Sequence, residues 1–286
     1  MRYVYVKGGK MSFKRVALGR TGLIVGRMGL GSSYGTTASM VEEAYERGVN
    51  YFYWGALRTE KMAEGMRSIA RKNRDDMVIV VQNNATFKTG IEKVVINSLR
   101  RLGLDYFDIL LLGWRNHRPN QKIIDTVLTL RDKGYFHFLA VSAHRREVFQ
   151  EYVREGLFDV FHLRYNAAHR GAEQEVFSLL LEEGGPGIVS FTNTRWGGLI
   201  NPKNMPSGED TPTPADCYRF VLSHRAVHVA ICGPNSIDQL RQDLLAIEQG
   251  PMNEKELIRM RRIGDHVHQH IPRFLDNLRG LGTIRF

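Results

Sequence analysis

The chain has 286 residues, of which 43% are hydrophobic, and a formal net charge of +10. A chain of this length suits one α/β barrel, and its hydrophobic content is enough to bury a large core. No apolar run reaches the roughly 18 residues that a transmembrane helix needs, so no membrane partner is expected. The N-terminus lacks the apolar core of a secretion signal, and only two cysteines occur. These features indicate a cytoplasmic protein without a zinc or other metal site.

The excess of basic residues narrows the kinds of partner. Lys and Arg together number 40, Asp and Glu number 30, and the basic residues are spread along predicted helices rather than gathered in one tail. This balance suits an anionic ligand such as a phosphorylated dinucleotide, although solvated helix faces also account for it. No nucleic-acid recognition motif or aromatic-basic repeat occurs, so nucleic acid is not an expected partner.

Short strands and amphipathic helices alternate along the chain. The strands are apolar and flanked by Gly, Asp or Asn, which is typical of strands buried on both faces. They are predicted at residues 27–31, 49–53, 77–81, 107–112, 138–141, 160–163, 187–191 and 227–231. Helices with apolar residues at a spacing of three or four are predicted between the strands, for example at residues 40–46, 62–71, 91–102, 123–133, 173–183, 216–222 and 237–247. Eight strand–helix units in series predict the α/β class and a single (β/α)8 TIM barrel.

Segments at both ends complete the predicted barrel. Residues 19–22 lie between alternating apolar runs and predict an N-terminal β-hairpin that closes the barrel bottom. Residues 254–268 predict a C-terminal extra helix. The long loop 196–213 follows the seventh strand, so it would cover the ligand face as a lid. We assign residues 1–286 to one domain, with an N-terminal extension over residues 1–12 and a C-terminal tail over residues 271–286.

Five short motifs occur in an order that resembles the aldo-keto reductase family. They are Leu18-Gly-Arg-Thr-Gly-Leu23, Gly29-Leu-Gly31, Leu102-Gly-Leu-Asp-Tyr-Phe-Asp108, Tyr165-Asn166 and Gly233 followed by Gln239-Leu240. Each alone is weak, but five in order over residues 13–260 are specific. The resemblance implies a barrel oxidoreductase that uses NADP(H) or NAD(H) to reduce a small-molecule carbonyl substrate.

The catalytic tetrad that the resemblance implies is missing. The family's Asp, Tyr, Lys and His correspond here to Tyr53, Arg58, Gln82 and Gly113. A phenol with a pKa near 10 becomes a useful acid at neutral pH beside a fixed positive charge, which the family supplies with its Lys. Arginine cannot act as an acid, and glutamine carries no charge. The chain is therefore identified as a divergent member, for which the standard reductase mechanism is not expected.

Two replacements for the lost groups are open. His117 begins His117-Arg118-Pro119, which is similar to the His-x-Pro that often carries the family's His. Alternatively, Tyr53 at the barrel rim supplies the proton, and the Arg58 cation lowers its pKa. A further alternative is that Tyr53 and Trp54 only fill vacated space. Tyr34 and His144 are weaker candidates for the same role. The catalytic candidates are therefore Tyr53, Arg58, Gln82 and His117.

The resemblance also implies a dinucleotide site. On its adenosine side, Gly233, Asn235 and Ser236 lead into a predicted helix N-terminus, which suits a phosphate. Ser236 and Asn235 also fit an ordinary N-cap. Gln239 resembles the residue that contacts adenine, and Arg241 is placed to meet a 2′-phosphate or to face solvent.

The nicotinamide side departs further from the family. Ser142 and His162 stand where relatives hold the carboxamide, and Phe191 stands where the ring stacks. Thr192 and Asn193 would touch the pyrophosphate, and Arg195 would offer it a guanidinium.

A cationic mouth is also expected, because Arg58, Arg164, Arg170 and Arg195 all follow predicted strands, and it suggests an anionic substrate. Two functions remain open. The first is NAD(P)H-dependent reduction of an anionic carbonyl compound with a non-standard proton donor. The second is a catalytically divergent barrel that has lost the reductase mechanism, either a ligand-binding pseudoenzyme or a non-redox lyase or isomerase.

Overall fold

Eight parallel strands close into a barrel, as the strand–helix alternation predicts. The computed structural model describes residues 3–6, 10–32, 34–55, 57–180 and 184–270. The barrel strands are β5 Met28–Gly31, β6 Tyr51–Trp54, β7 Val78–Asn83, β8 Phe107–Leu112, β9 Phe136–Ser142, β10 Val160–Arg164, β11 Gly187–Phe191 and β12 Val229–Cys232. Their order in the closed sheet is β5 to β12, with β12 pairing back to β5. The (β/α)8 barrel is therefore confirmed.

Helices surround the barrel and connect its strands. Several begin at a Thr, Asn or Ser whose side chain accepts a hydrogen bond from the first turn, as at Thr59, Asn120 and Ser236. The helices are α1 Ala38–Glu46, α2 Glu60–Asn73, α3 Lys88–Leu102, α4 Gln121–Asp132, α5 Val148–Glu155, α6 Ala172–Glu175, α7 Pro214–Ser223, α8 Ile237–Gln249 and α9 Glu254–His270. The last of these, α9, confirms the C-terminal extra helix.

Apolar side chains form two shells, one on each side of the barrel sheet. The inner shell includes Tyr51 and Val80, together with Leu18 from the N-terminal hairpin. The outer shell lies between strands and helices and includes Phe52 and Ile79. Adjacent residues of one strand enter different shells because side chains alternate between the two faces of a sheet. This alternation decides which residues point into the barrel mouth.

Two antiparallel hairpins precede the barrel. The predicted one is β3 Val16–Ala17 with β4 Ile24–Val25, and the Arg20 side chain ties it to the main-chain oxygens of Gly156 and Phe158. Glycine 187 begins β11, and an added Cβ at Gly19 would overlap its backbone, so the hairpin lies at the amino-terminal end of the barrel. A second hairpin, β1 Tyr3–Val6 with β2 Lys10–Phe13, forms within the N-terminal extension and was not predicted.

Two segments differ from the elements predicted for them. The helix predicted at residues 173–183 is instead the single turn of α6 followed by a 3-10 turn, Phe177–Leu180, because Val176 leaves the helical region at φ −127°. Residues 181–183 of that prediction, and the C-terminal tail 271–286, lie outside the described residues. The loop 196–213 contains two 3-10 turns, Gly198–Ile200 and Pro202–Asn204.

Among the described residues, no helix has the length and apolar character needed to cross a membrane.

Candidate active site

Polar side chains gather at the carboxyl ends of four barrel strands. Tyr53 of β6, Gln82 of β7, Ser142 of β9 and His162 of β10 each lie two positions after an apolar residue of the inner shell. Because side chains alternate along a strand, all four point into the barrel at its carboxyl end. Barrel enzymes build their active sites at this end. The structure therefore brings these four predicted site residues to one mouth.

A hydrogen-bonded chain crosses this mouth. The Tyr53 hydroxyl donates to Gln82 Oε1, and Gln82 Nε2 donates to Asn84 Oδ1 at 2.7 Å. The two amides fill the space beside Gly113, where an added Cβ would overlap both Gln82 Nε2 and Asn84 Oδ1. Gly113 and Gln82 are therefore matched to each other. A side chain at Gly113 is incompatible with this hydrogen-bonded chain.

The Tyr53 ring is enclosed by close neighbours. It packs over Gly55, where an added Cβ would lie 2.7 Å from Tyr53 Cζ. Burial raises the pKa of the Tyr53 hydroxyl well above its usual value, the nearby Tyr34 hydroxyl raises it further, and Arg58 lowers it by less. The prediction that Arg58 gives Tyr53 a lowered pKa is therefore wrong in its direction, because desolvation outweighs the cation. Tyr53 is protonated at neutral pH.

The Arg58 guanidinium is directed at the backbone rather than at the phenol. Its Nη1 donates to the Gln82 main-chain oxygen at 2.7 Å. Burial, followed by the proximity of Arg101, lowers the pKa of Arg58. Arg58 thus fixes the carboxyl end of β7 and holds Gln82 in place for Tyr53.

A second polar pair lies beside Tyr53. His162 Nε2 and the Tyr51 hydroxyl are 2.7 Å apart, and both side chains are buried. The His162 ring centroid is 5.7 Å from that of Tyr53. Burial lowers the pKa of His162 to about 3, so the ring is neutral near pH 7. His162 is predicted to hold the carboxamide, and its Nε2 is thus already hydrogen-bonded to Tyr51.

His117 and His144 take different positions. The His117 side chain is exposed, and its main-chain oxygen accepts a hydrogen bond from Tyr152 of α5, which lies in the outer layer. The contacts of His117 thus differ from those of the Tyr53 chain, and its catalytic role stays a prediction. His144 instead lies between two aromatic rings of the rim, with ring centroids 6.3 Å from Trp114 and 6.4 Å from Phe191.

The predicted adenosine site is exposed, but some of its residues already hydrogen-bond to one another. The Ser236 hydroxyl caps α8, and Gln239 Oε1 accepts from the Asn235 main-chain N–H at 3.0 Å. An added Cβ at Gly233 would overlap the Tyr34 ring, which therefore covers it. The exposed α8 N-terminus fits a phosphate. Arg241 pairs with Glu43 through two hydrogen bonds, so a 2′-phosphate would compete with that carboxylate.

The loop after β11 holds the remaining predicted contacts. Phe191 and Thr192 are half-buried, so both are accessible to a dinucleotide. Asn193 differs, since its buried side chain joins Ser190 to the Ile231 main-chain oxygen and thereby ties β11 to β12. Its predicted pyrophosphate contact has no support in this arrangement, because both ends of its amide are used. The Ser142 hydroxyl accepts from the Trp114 main-chain N–H at 3.1 Å.

Two arginines of the predicted cationic mouth are directed elsewhere. The Arg195 side chain is fully buried and donates to the Val267 main-chain oxygen of α9 at 2.5 Å. Arg170 pairs with Asp265 of α9 at 2.6 Å. Arg170 of the predicted cationic mouth therefore has a carboxylate partner, and the structure does not present Arg195 to a phosphate. Arg58 and Arg164 are the predicted cations that remain near the mouth.

A few residues near the mouth were not predicted. Asn84 extends the Tyr53 chain, and Tyr51 engages His162. Trp114 stands exposed at φ +59°, a conformation that is uncommon outside glycine. The sequence held a signal for Tyr51, which precedes Tyr53 by the strand period of two. For Asn84 the signal was weaker, because a polar residue just beyond a strand is common in any loop.

The fold and the site define a (β/α)8-barrel protein with its polar centre at the carboxyl ends of the strands. The sequence pattern of the aldo/keto reductase family matches residues 22–211. The chain therefore belongs to the aldo/keto reductase family of oxidoreductases.

Similar proteins agree with this assignment. The L-galactose dehydrogenase of Arabidopsis thaliana is 25% identical over 82% of this chain and 88% of its own. The Uncharacterized oxidoreductase YqkF of Bacillus subtilis is 22% identical over 86% of this chain and 92% of its own. The holo form of the aldo-keto reductase AKR11C1 from Bacillus halodurans has the same fold, with a TM-score of 0.73 and 22% identity over 87% of this chain and 96% of that one.

Proposed function

We propose that this chain reduces a small carbonyl compound at the barrel mouth with NADP(H) or NAD(H), and that Tyr53 is its non-standard proton donor. The observation that carries the proposal is the Tyr53 hydroxyl, which Gln82 holds at the mouth and which is protonated at neutral pH. The exposed α8 N-terminus and the accessible Phe191 fit a dinucleotide, which supplies the hydride when bound. A cytoplasmic location suits this activity, since Cys217 and Cys232 are buried free thiols.

The residues of the mouth have different roles in the proposed reaction. A substrate oxygen competes with Gln82 for the Tyr53 proton, and Tyr53 donates that proton as the carbonyl is reduced. Arg58 then stabilises the phenolate that Tyr53 becomes, because a nearby cation favours the charged form. His144 and Arg164 lie near each other at the other side of the rim. Arg164 would meet an anionic group of the substrate, which carries the proposal of an anionic carbonyl compound.

Loss of the Tyr53 hydroxyl tests the proposal directly. In Tyr53→Phe we expect kcat to fall by about 100-fold or more, which is the usual contribution of a general acid. The dissociation constant of NADPH or NADH, measured by fluorescence titration, should change less than about twofold, because the hydroxyl donates a proton and does not hold the dinucleotide. Tyr135→Phe, a partly buried tyrosine before β9, is the matched control and should retain activity.

Two outcomes would contradict the proposal. If neither NADPH nor NADH binds to the wild-type protein, the cofactor part is wrong. If Tyr53→Phe turns over a carbonyl substrate at the wild-type rate, Tyr53 is not the proton donor.

A second candidate is a ligand-binding or non-redox barrel. It is favoured by the raised pKa of Tyr53, which makes the phenol a weaker acid than one paired with a lysine. Dinucleotide binding without turnover of any carbonyl compound in a broad panel would favour this candidate over the first.

A further inference from the structure

A cationic groove lies on the flank of the barrel, outside the mouth. It is an open cavity of about 350 Å³ along α3, next to the loop between β6 and α2. This volume is at the lower end of the range for small-molecule pockets. Its lining comprises Arg58, Lys93, Val94, Asn97, Ser98, Arg100 and Arg101.

The lining carries four cations and no carboxylate. Arg101 shares Glu60 with Arg67, at 3.2 Å and 2.7 Å respectively. Arg58, Lys93 and Arg100 make no ion pair within the described part of the chain. Many arginines on other helices do have such partners, for example Arg47, Arg219 and Arg241. The groove is therefore a local excess of positive charge, and such an excess attracts a polyanion.

Two of the four cations are fixed before any ligand arrives. Arg58 donates to the Gln82 main-chain oxygen at 2.7 Å. Arg101 donates to the Arg58 main-chain oxygen at 3.1 Å, and its guanidinium lies 4.7 Å from the centroid of Trp54. Proximity to Arg101 contributes to the lowered pKa of Arg58, as expected where like charges are held together. Fixed guanidinium groups cost less entropy to engage than free ones.

A serine hydroxyl lines the same groove. Ser98 is 1% exposed as a residue, and its side chain makes no hydrogen bond to any residue that the structure describes. Its oxygen is not one of the buried atoms that lack a partner, so it opens onto the groove, where it can donate a hydrogen bond to a ligand. Guanidinium groups together with a hydroxyl are the donors that recognise phosphate oxygens.

We propose that this groove binds the phosphate groups of a phosphorylated small molecule, at a site separate from the nicotinamide site. The predicted adenosine contacts lie at β12 and α8, whereas α3 follows β7, and β5 and β6 stand between them in the barrel. The groove therefore does not depend on the proposed reductase activity. Arg58 borders both the groove and the Tyr53 chain through its bond to Gln82.

Calorimetric titration with inorganic pyrophosphate, at ionic strength held constant with sodium chloride, tests the groove. The double variant Lys93→Gln/Arg100→Gln should bind at least about tenfold more weakly, because it removes two of the four cations. Ser98→Ala should bind about two- to fivefold more weakly. The matched control is Lys122→Gln/Lys133→Gln, which removes two exposed cations around α4 and should change the affinity less than about twofold.

A parallel titration with ADP identifies the source of the phosphate groups. Tighter binding of ADP than of pyrophosphate supports a nucleotide ligand, and equal binding supports bare phosphate groups. The proposal is overturned if wild-type protein binds neither probe, or if the control variant loses as much affinity as Lys93→Gln/Arg100→Gln. It is also overturned if that double variant loses NADPH affinity to the same extent, since the groove would then belong to the nicotinamide site.

Discussion

Gln82 lies near the end of β7 and Gly113 directly follows the neighbouring strand β8, and the Gln82 side chain fits only because position 113 has none. The Gln82 amide extends from Tyr53 to Asn84 across the space that a side chain at position 113 would fill. The two predicted departures from the family, at the positions of its lysine and its histidine, are therefore structurally coupled. In the neutral chain of hydrogen bonds at this place, the Gln82 amide accepts from the Tyr53 hydroxyl and donates to Asn84 Oδ1.

This coupling predicts the result of a double-mutant cycle. Gly113→Ala should lower the free energy of unfolding by about 1 kcal/mol, because the added Cβ displaces the Gln82 and Asn84 amides and breaks their hydrogen bond. In an Asn84→Ala background the bond between Gln82 and Asn84 is already absent, and so is the overlap of the added Cβ with the Asn84 amide. Gly113→Ala should therefore lower the free energy of unfolding there by less than about half as much. Urea denaturation of the four proteins measures the coupling, and strictly additive effects would contradict it.

The sequence predicted the mouth residues better than their chemistry. Tyr53 and Gln82 were placed correctly at the carboxyl ends of β6 and β7, because the strand period alone decides that position. The pKa direction of Tyr53 was wrong. Arg58 is close in sequence, but its guanidinium binds the Gln82 main-chain oxygen, and the burial of Tyr53 dominates. Neither side-chain direction nor desolvation can be read from spacing.

At the scale of the elements, α9 organises the loops around the carboxyl end of the barrel. It receives the buried Arg195 from the loop after β11 and Arg170 from the loop after β10. Arg259 of α9 binds Glu209 at 2.7 Å and the Asp210 main-chain oxygen at 2.6 Å. The loop 196–213, predicted as a lid, is therefore fastened to a helix at both its beginning and its end.

Removal of one fastening should loosen the loop without unfolding the barrel. In Arg259→Gln we expect amide hydrogen exchange in residues 197–213 to accelerate by about tenfold, because local opening no longer has to break the Arg259 bonds to Glu209 and Asp210 and only the pair of Glu209 with Arg262 is left there. The global free energy of unfolding should change by less than about 1 kcal/mol. Lys255→Gln, an exposed position on the same helix, is the control. Unchanged exchange in Arg259→Gln would show that other contacts hold the loop.

The elements themselves were predictable to different degrees. All eight barrel strands were placed within two residues, since short apolar runs with turn residues on both sides have few other interpretations. The helix predicted at residues 173–183 was wrong. Its apolar residues keep the helical spacing past Val176, but the backbone leaves the helical conformation at that residue. The hairpin of β1 and β2 was missed although the sequence carried a signal for it, because Tyr3-Val-Tyr-Val6 contains only strand-forming residues and Gly8-Gly9 is a turn signal.

For the whole molecule, stability also depends on the ionisable side chains that are buried together with the two apolar shells. Some buried charged side chains have a partner of opposite charge, as Asp108 has in Arg74 at 2.9 Å and Arg219 has in Glu256 at 2.8 Å. Asp243 of α8 is 6% exposed, and no cation lies within ion-pair distance of it in the described residues. Burial raises the pKa of the Asp243 carboxyl to about 7, and a hydrogen bond with Tyr218 offsets part of the increase.

This carboxyl should make the stability of the barrel fall as pH rises from about 4 to about 7. The folded state holds the Asp243 proton more tightly than the unfolded state, so its contribution is complete below the unfolded pKa of 3.8 and is lost as pH rises through about 7. Asp243→Asn removes this dependence. At pH 8 the variant should be more stable than the wild type by roughly 2–4 kcal/mol, and at pH 4 the two should be nearly equal.

Urea denaturation at pH 4, 6 and 8 measures the difference in unfolding free energy between the two proteins, in which the contributions of all other titrating groups cancel. Asp238→Asn, on the exposed face of the same helix, should follow the wild type. A constant difference between wild type and Asp243→Asn across this range would mean that the carboxylate is charged throughout and is solvated by contacts that burial alone does not reveal.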